Sequence, residues 1–157
     1  MSPGPDDPAW RGVDLPGDVD RSAQGEGDLG QRMARVVRRV TADRPVLLMG
    51  TDCPALTGAR IADAARALAR HETALIPASD GGYVLIGLRA PCDAVFQAMH
   101  WSKSRVAAET LRRFAAAGLG VWRGPTLADV DEPADLRHLP GDWNFVEKIA
   151  FSSVKWT

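Results

Sequence analysis

Pro45-Val46-Leu47-Leu48-Met49-Gly50-Thr51-Asp52-Cys53-Pro54-Ala55-Leu56 is the stretch that decides the fold. Four apolar residues in a row, Val46 to Met49, suit a strand covered on both faces, and Gly50 then lets the backbone leave the sheet sharply. Asp52 follows at once. In an open α/β sheet, ligands sit beyond the carboxyl ends of the strands, so a carboxylate there can face a ligand or a metal ion. Asp is equally a common turn residue, and this stretch alone leaves both roles open. Pro54 ends the extended segment, and Thr57 is placed to cap the next helix.

Upstream, Leu29, Met33, Val36, Val37 and Val40 recur at helical spacing with Arg32, Arg35, Arg38 and Arg39 on the other face, which predicts an amphipathic helix ending near Asp43. Residues 1–28 carry Pro3, Pro5, Pro8 and Pro16 among Gly and Asp, without helix or strand periodicity, and read as an irregular lead. Downstream, a helix is expected from about Gly58 to Arg70 with Ile61, Ala65 and Leu68 inward, then a strand through Ala74, Leu75 and Ile76. The loop Ala78-Ser79-Asp80-Gly81-Gly82, which draws on the conformational freedom of its glycines, leads into a strand from Val84 to Leu88. A third helix is expected after Ser102 to Ala117, with Val106, Thr110, Leu111 and Phe114 inward and Gly118 as its stop. Val121 and Trp122 form a short strand, and Asp131 stands as a cap before Glu132-Pro133. This alternation predicts an α/β domain with a mostly parallel sheet. The divisions are an irregular lead over 1–28, the domain over 29–139, and a tail over 140–157, where Trp143, Phe145, Val146 and Ile149 fit either a docked helix or an extension.

The 157 residues are one domain's worth, and 45% hydrophobic content supports a packed core. With 19 basic and 20 acidic side chains the net charge is -1, so no overall field draws the chain to nucleic acid or to an anionic membrane. Cys53 and Cys92 lie far apart with no Cys-x-x-Cys pair, which argues for reduced thiols in a cytoplasmic protein rather than a zinc site or a disulfide framework. No apolar run reaches transmembrane length. Gly25-Glu26-Gly27-Asp28-Leu29-Gly30 matches the glycine pattern of a dinucleotide-binding oxidoreductase, but that fingerprint needs a buried strand immediately before its first glycine. Val13 to Gln24 has no such character.

Five segments, taken in order, resemble the motifs of one family: Gln24-Gly25-Glu26-Gly27-Asp28-Leu29-Gly30-Gln31-Arg32-Met33; Gly50-Thr51-Asp52-Cys53-Pro54; Pro77-Ala78-Ser79-Asp80-Gly81-Gly82-Tyr83 with the strand after it; Trp101-Ser102; and Asp129-Val130-Asp131-Glu132-Pro133-Ala134-Asp135-Leu136. The family is the bacterial radical-SAM/selenodomain-associated, glycosyltransferase-A-like transferases of the nucleotide-diphospho-sugar transferase superfamily. The resemblance spans about Pro5 to Leu139. It implies a Rossmann-like three-layer sandwich and a metal-dependent glycosyltransferase or nucleotidyltransferase acting on a nucleotide sugar or a nucleoside triphosphate. The donor would be held through Mg²⁺ or Mn²⁺, and the acceptor would be a small molecule.

By the same resemblance, Asp52 and Asp131 are the catalytic and metal-binding carboxylates, with Asp129 a substitute for the second. Gln24, Gly27, Asp28 and Gly30 are the nucleotide-binding segment; Asp80, Gly81, Gly82, Tyr83 and Trp101 face the transferred group or the acceptor. The chemistry is coherent, because Mg²⁺ takes one or two carboxylates plus phosphates and waters, and a side-chain amide can read the edge of a base. Each position also has a plain structural reading: Asp131 as a helix cap, the glycines before Leu29 as a turn, the Asp80 loop as a tight connection, Ser102 as a cap. Lys103 stands where Thr usually follows Trp-Ser in the family.

The family opens with a strand, a basic glycine-containing phosphate loop, a helix and a second strand, so this chain is expected to begin about one third of the way into the fold. Impaired transfer follows from the missing loop, and self-association from an exposed sheet edge. The alternative of a different class is a noncatalytic binding module of the same fold.

Overall fold

The computed structural model describes residues 4–13, 16–17, 19–101, 104–130 and 135. Helix α1, Leu29–Thr41, opens on a reciprocal cap: Asp28 Oδ1 accepts from Gln31 N at 2.8 Å while Gln31 Oε1 accepts from Asp28 N at 3.0 Å. Strand β1 is Val46–Met49, α2 is Gly58–Ala67, β2 is Thr73–Pro77 and β3 is Tyr83–Leu88. Helix α3, Val106–Ala116, and strand β4, Val121–Arg123, complete the set, with single 3-10 turns at Pro8–Trp10 and Asp93–Val95. The turn at Pro8–Trp10 lies inside the lead expected to be irregular. Its cap is Asp7, whose carboxylate accepts from Ala9 N, and Trp10 Nε1 donates to Gly4 O at 2.7 Å.

The sheet order is β1-β3-β2-β4. Strands β2 and β4 pair in parallel, whereas β3 runs antiparallel to both β1 and β2. The expected mostly parallel sheet is therefore corrected to a mixed one. The cause is connection length: residues 78–82 are too few for a crossover and can only return the chain as a hairpin, after which α3 carries the chain from the end of β3 to β4 on the far side of β2. Among the described residues β1 pairs on one side only, and Met49 at its end is 53% exposed.

One core joins α1 and α3 to the sheet through Val37, Phe114, Leu75, Ile86 and Leu88, with Val95 and Phe96 beneath them. The opposite face packs α2 through Ala64 and Leu68 onto Ala74, Ile76 and Leu85, so helices cover both faces. Strand β2 is buried along its whole length, as its position inside the sheet requires. The faces of the helices differ from the periodic expectation. On α1 the buried residues are Gly30, Ala34 and Val37, while Leu29 stays 41% exposed. Gly30 explains the rotation: a Cβ there would overlap the Phe96 carbonyl and stand 3.0 Å from the Trp101 ring, so this small residue lets the helix settle close. On α2, Ala64 and Ala67 are buried and Ala65 is not. Thr57 occupies the cap position of α2 without a side-chain hydrogen bond. Gly118, at φ +68°, ends α3 as expected.

Beyond β4 the chain crosses the carboxyl ends of the parallel strands. Gly124 N bonds Leu75 O, Leu127 N bonds Pro77 O, Ser79 N bonds Leu127 O, and Val130 N bonds Asp52 O at 2.9 Å. On α3, Arg113 donates to the carbonyls of Ala94, Val95, Gln97 and Ala98, gathering the turn that carries Phe96. No helix among the described residues is long and apolar enough to cross a membrane. The expected cap at Asp131, the helix after it, Ser102, Lys103 and the 140–157 tail lie outside the described residues.

Candidate functional site

The carboxyl end of β1, the start of β3 and the first two turns of α1 enclose a cavity of about 670 Å³, within the usual range of small-molecule sites. Its position at the carboxyl edge of the parallel strands is where such sheets bind ligands. Leu29, Met33 and Val36 from α1, Leu48 and Met49 from β1, and Val84 and Val106 give it apolar walls. Gln24, Arg32, Asp80, Tyr83, Trp101 and Ser104 bring the polar groups.

Of the residues expected at the site, Gln24, Asp80, Gly82, Tyr83 and Trp101 meet in this cavity. The Asp80 carboxylate is partly occupied, since its Oδ1 accepts from Gly82 N at 2.7 Å and so sets the turn. Burial pushes the Tyr83 phenol well above its ordinary range, so it is a neutral hydroxyl, and among the described residues it donates one weak hydrogen bond, to Met33 Sδ at 3.9 Å. Trp101 packs on Gly30, and its Nε1 is buried with no partner among the described residues; the same holds for Arg32 Nε. Arg32 Nη1 donates to Gln24 Oε1 at 2.9 Å.

Gly81 is held differently. At φ +94° it accepts from Ala107 N at 2.9 Å, and a Cβ would overlap the Ser104 carbonyl. Its freedom serves the close packing of the loop on the start of α3, and it does not line the cavity.

Gly27, Asp28 and Gly30 lie on the other flank of α1, along a second concavity that also includes Arg35, Arg38 and Asp93. The Asp28 carboxylate is engaged in the helix cap. Gly27, at φ +103°, leaves room for Gln31, whose Cδ would stand 3.0 Å from a Cβ there. Arg35 ties this turn down by donating to the carbonyls of Gln24 and Glu26, and Arg38 pairs with Asp93. No strand precedes Gly25 in residues 19–24, so the dinucleotide context is absent there.

Asp52 is exposed, with its carboxylate lying against Gly50, 2.6 Å from where a Cβ would stand; Gly50 itself lines the cavity. Its carbonyl holds Val130, the residue before Asp131, which itself lies outside the described residues. Cys53 Sγ donates to Ala128 O at 3.3 Å. Burial raises the Cys53 thiol above its ordinary value; the amides of Leu56 and Ala55 oppose this, and the charges of Asp129 and Asp52 add to it. Cys53 is thus a protonated packing residue that places both carboxylates in one neighbourhood. Among the described residues, no group of three or more His, Cys, Asp or Glu is arranged to hold a metal ion.

Sequence reasoning passed over Arg32, Met33 and Ser104. The signal for the first two was present, because Leu29, Arg32, Met33 and Val36 follow the i, i+3, i+4, i+7 spacing of a single helix stripe, with a charge inside it.

A mixed sheet with helices on both faces and a cavity at its carboxyl edge defines an α/β domain with a candidate small-molecule site. The chain belongs to the DUF2064 family, described as "Uncharacterized protein conserved in bacteria", whose profile matches residues 1–103. It is similar to a crystal structure from Desulfovibrio desulfuricans G20 described as a "putative nucleotide-diphospho-sugar transferase", at 35% identity and a TM-score of 0.66. The match covers 70% of this chain and 49% of that one, so the chain spans about half the length of this solved relative. No curated protein matches.

Proposed function

We propose that this chain is a cytoplasmic glycosyltransferase or nucleotidyltransferase domain of the radical-SAM/selenodomain-associated kind, binding a nucleotide sugar or a nucleoside triphosphate together with a small-molecule acceptor. The observation that carries the proposal is the convergence of Gln24, Asp80, Gly82, Tyr83 and Trp101 on one cavity at the carboxyl edge of the sheet. The described solved relative supports the same class by its fold.

The carboxylates at this edge fit a divalent ion. Asp52 is exposed beside the cavity wall, and Asp129 influences the same Cys53 thiol. These are hard oxygen donors, and Mg²⁺ or Mn²⁺ needs few of them when phosphates and water complete the set. Asp52, with Asp131 or Asp129, would hold the ion, which when bound supplies charge neutralisation at phosphate oxygens. The residues' own work is binding and orientation: the Gln24 amide meets the base, Trp101 and Met33 cover an apolar face, and Asp80 accepts from a hydroxyl group.

The test is a thermal-shift and calorimetric titration of the chain with nucleoside di- and triphosphates, with Mg²⁺ and with EDTA. Saturable binding that EDTA weakens is the expected result. No binding to any nucleotide would remove the proposal, while binding without transfer to any acceptor would favour a binding module of the same fold.

A further inference from the structure

Four arginines line the polar side of α1, and among the described residues only Arg38 has a carboxylate partner, Asp93. Arg32, Arg35 and Arg39 stand at i, i+3 and i+7, one stripe of the helix, and each donates to neutral oxygens of the lead segment. Arg32 Nη1 donates to Gln24 Oε1 at 2.9 Å, Arg35 to the carbonyls of Gln24 and Glu26, and Arg39 Nη2 to Ser22 Oγ at 2.9 Å. Three guanidinium groups in a row are thus satisfied by acceptors that carry no charge.

This clasp is most of what holds the lead against the helix. Residues 20–27 are exposed throughout, and among the described residues none of their backbone groups bonds to another backbone group. Arg21 lies 5.6 Å from the Trp10 ring centre, a contact within the lead itself. A segment tied by a few exposed side-chain bonds opens at low cost in free energy. Gly25 is shaped for the clasp: its φ of +76° is one that L residues avoid, and a Cβ there would overlap the Arg35 guanidinium. The acidic side chains on this flank leave the stripe uncompensated. Asp28 caps the helix, Asp93 holds Arg38, and Glu26 belongs to the segment and moves with it.

We infer that Arg35 and Arg39 form a phosphate-binding site that residues 20–27 cover as a releasable strap. Guanidinium groups bond phosphate oxygens through paired N–H groups, and such charge-assisted bonds are about twice as strong as bonds to neutral acceptors. The strap oxygens are therefore placeholders, which keep the donors satisfied until a phosphate or diphosphate group displaces them. Arg35 and Arg39 are neighbours one helical turn apart, close enough to share one diphosphate. Release of the strap also breaks the bond from Arg32 to Gln24 and withdraws Gln24 from the cavity wall, so the anion regulates the neighbouring cavity. This site lies outside the cavity and stands apart from the nucleotide-binding reading of it.

The probe is inorganic pyrophosphate, added to the whole chain at an ionic strength held constant with NaCl. Calorimetry gives its dissociation constant, and the rate of tryptic cleavage after Arg21, identified by fragment mass, reports strap release. Saturable binding with faster cleavage after Arg21 is the expected result, and pyrophosphate acting no better than NaCl would overturn the inference. UDP and uridine, run in parallel, separate the sources of the phosphate: cleavage promoted by UDP and not by uridine extends the site to a nucleotide's diphosphate, whereas promotion by pyrophosphate alone assigns it to the free anion. Two variants then part in sign. Arg35→Gln and Gly25→Ala both loosen the strap and should raise the basal cleavage rate. Arg35→Gln should weaken pyrophosphate by about 10-fold, the loss of one charge-assisted contact at an exposed residue. Gly25→Ala removes the competing strap and keeps both guanidinium groups, so it should tighten pyrophosphate by about 3- to 10-fold. A shift in the same direction in both variants, or in neither, would overturn the inference, because a purely structural clasp predicts no such contrast. Pyrophosphate binding without binding of any nucleotide would keep this inference and remove the reading of the cavity. The wild-type comparison with NaCl requires no substitution, so it stands even if a variant does not fold.

Discussion

Replacing Gly81 by Ala should destabilise the fold far more than the same change one residue on. At φ +94° an L residue is strained, costing about 1–2 kcal/mol. The new Cβ would also overlap the Ser104 carbonyl and stand 2.7 Å from Ser104 Cα, both backbone atoms that cannot swing aside. Relief requires the loop to move off the start of α3, losing the 2.9 Å bond from Ala107 N to Gly81 O, worth about 1 kcal/mol. The sum is about 2–3 kcal/mol. At Gly82 the φ lies outside the left-handed region, and the nearest group to a Cβ is the Asp80 carboxylate at 3.1 Å, a side chain that can shift. Gly82→Ala should therefore cost less than about 1 kcal/mol. Urea unfolding followed by circular dichroism separates the two: at a slope of about 2 kcal/mol/M, Gly81→Ala lowers the midpoint by about 1–1.5 M and Gly82→Ala by less than 0.5 M. Equal midpoints for the two variants, with unchanged slopes, would refute the reasoning.

Asp52→Asn should abolish Mg²⁺-dependent strengthening of nucleotide binding and leave the melting temperature nearly unchanged, because this exposed side chain contributes to no apolar core; calorimetry with and without Mg²⁺ checks both. Bonds from Arg112 and then Arg113 hold the Glu109 carboxyl below its ordinary 4.5, at about 2. A depressed folded value means that the ion pairs stabilise above the unfolded value and are lost as the pH falls through about 2, so the wild-type melting temperature should drop between pH 4.5 and 2 more than that of Glu109→Gln. The outer edge of β1, ending at the 53%-exposed Met49, should pair with a second copy. Sedimentation velocity is expected to show concentration-dependent association that Leu48→Lys weakens, and a single monomeric species at all concentrations would count against it.

Much of the framework was legible because the local signals agreed with one another. The helical spacing that begins at Leu29 announced α1, and Gly118 announced the end of α3. The direction of β3 was also legible in principle, since five residues between two strands compel a hairpin; the alternation of strands and helices by itself carries no strand direction. The burial of α1 was harder to read. Its stripe faces two environments, with Ala34 and Val37 in the core and Leu29, Met33 and Val36 against the cavity, and hydrophobicity alone does not separate a core wall from a ligand wall. Arg32 in that stripe was the distinguishing mark. Glycine roles at Gly27, Gly30 and Gly81 depended on neighbours distant in sequence, such as Phe96 and Ser104, which no local pattern reveals. Asp131 lies outside the described residues, so its expected role stays where the motif put it.

The bonds from Val130 N to Asp52 O and from Cys53 Sγ to Ala128 O join positions 75 or more residues apart. Contacts of such separation form late, because the loop they close costs entropy before it is rewarded. During synthesis β1 and the Asp52 turn emerge well before the segment that fastens them. The turn carrying the candidate metal carboxylate is thus among the last parts of the molecule to be set, and a nascent chain stalled before residue 130 would carry Asp52 in sequence but not yet in place.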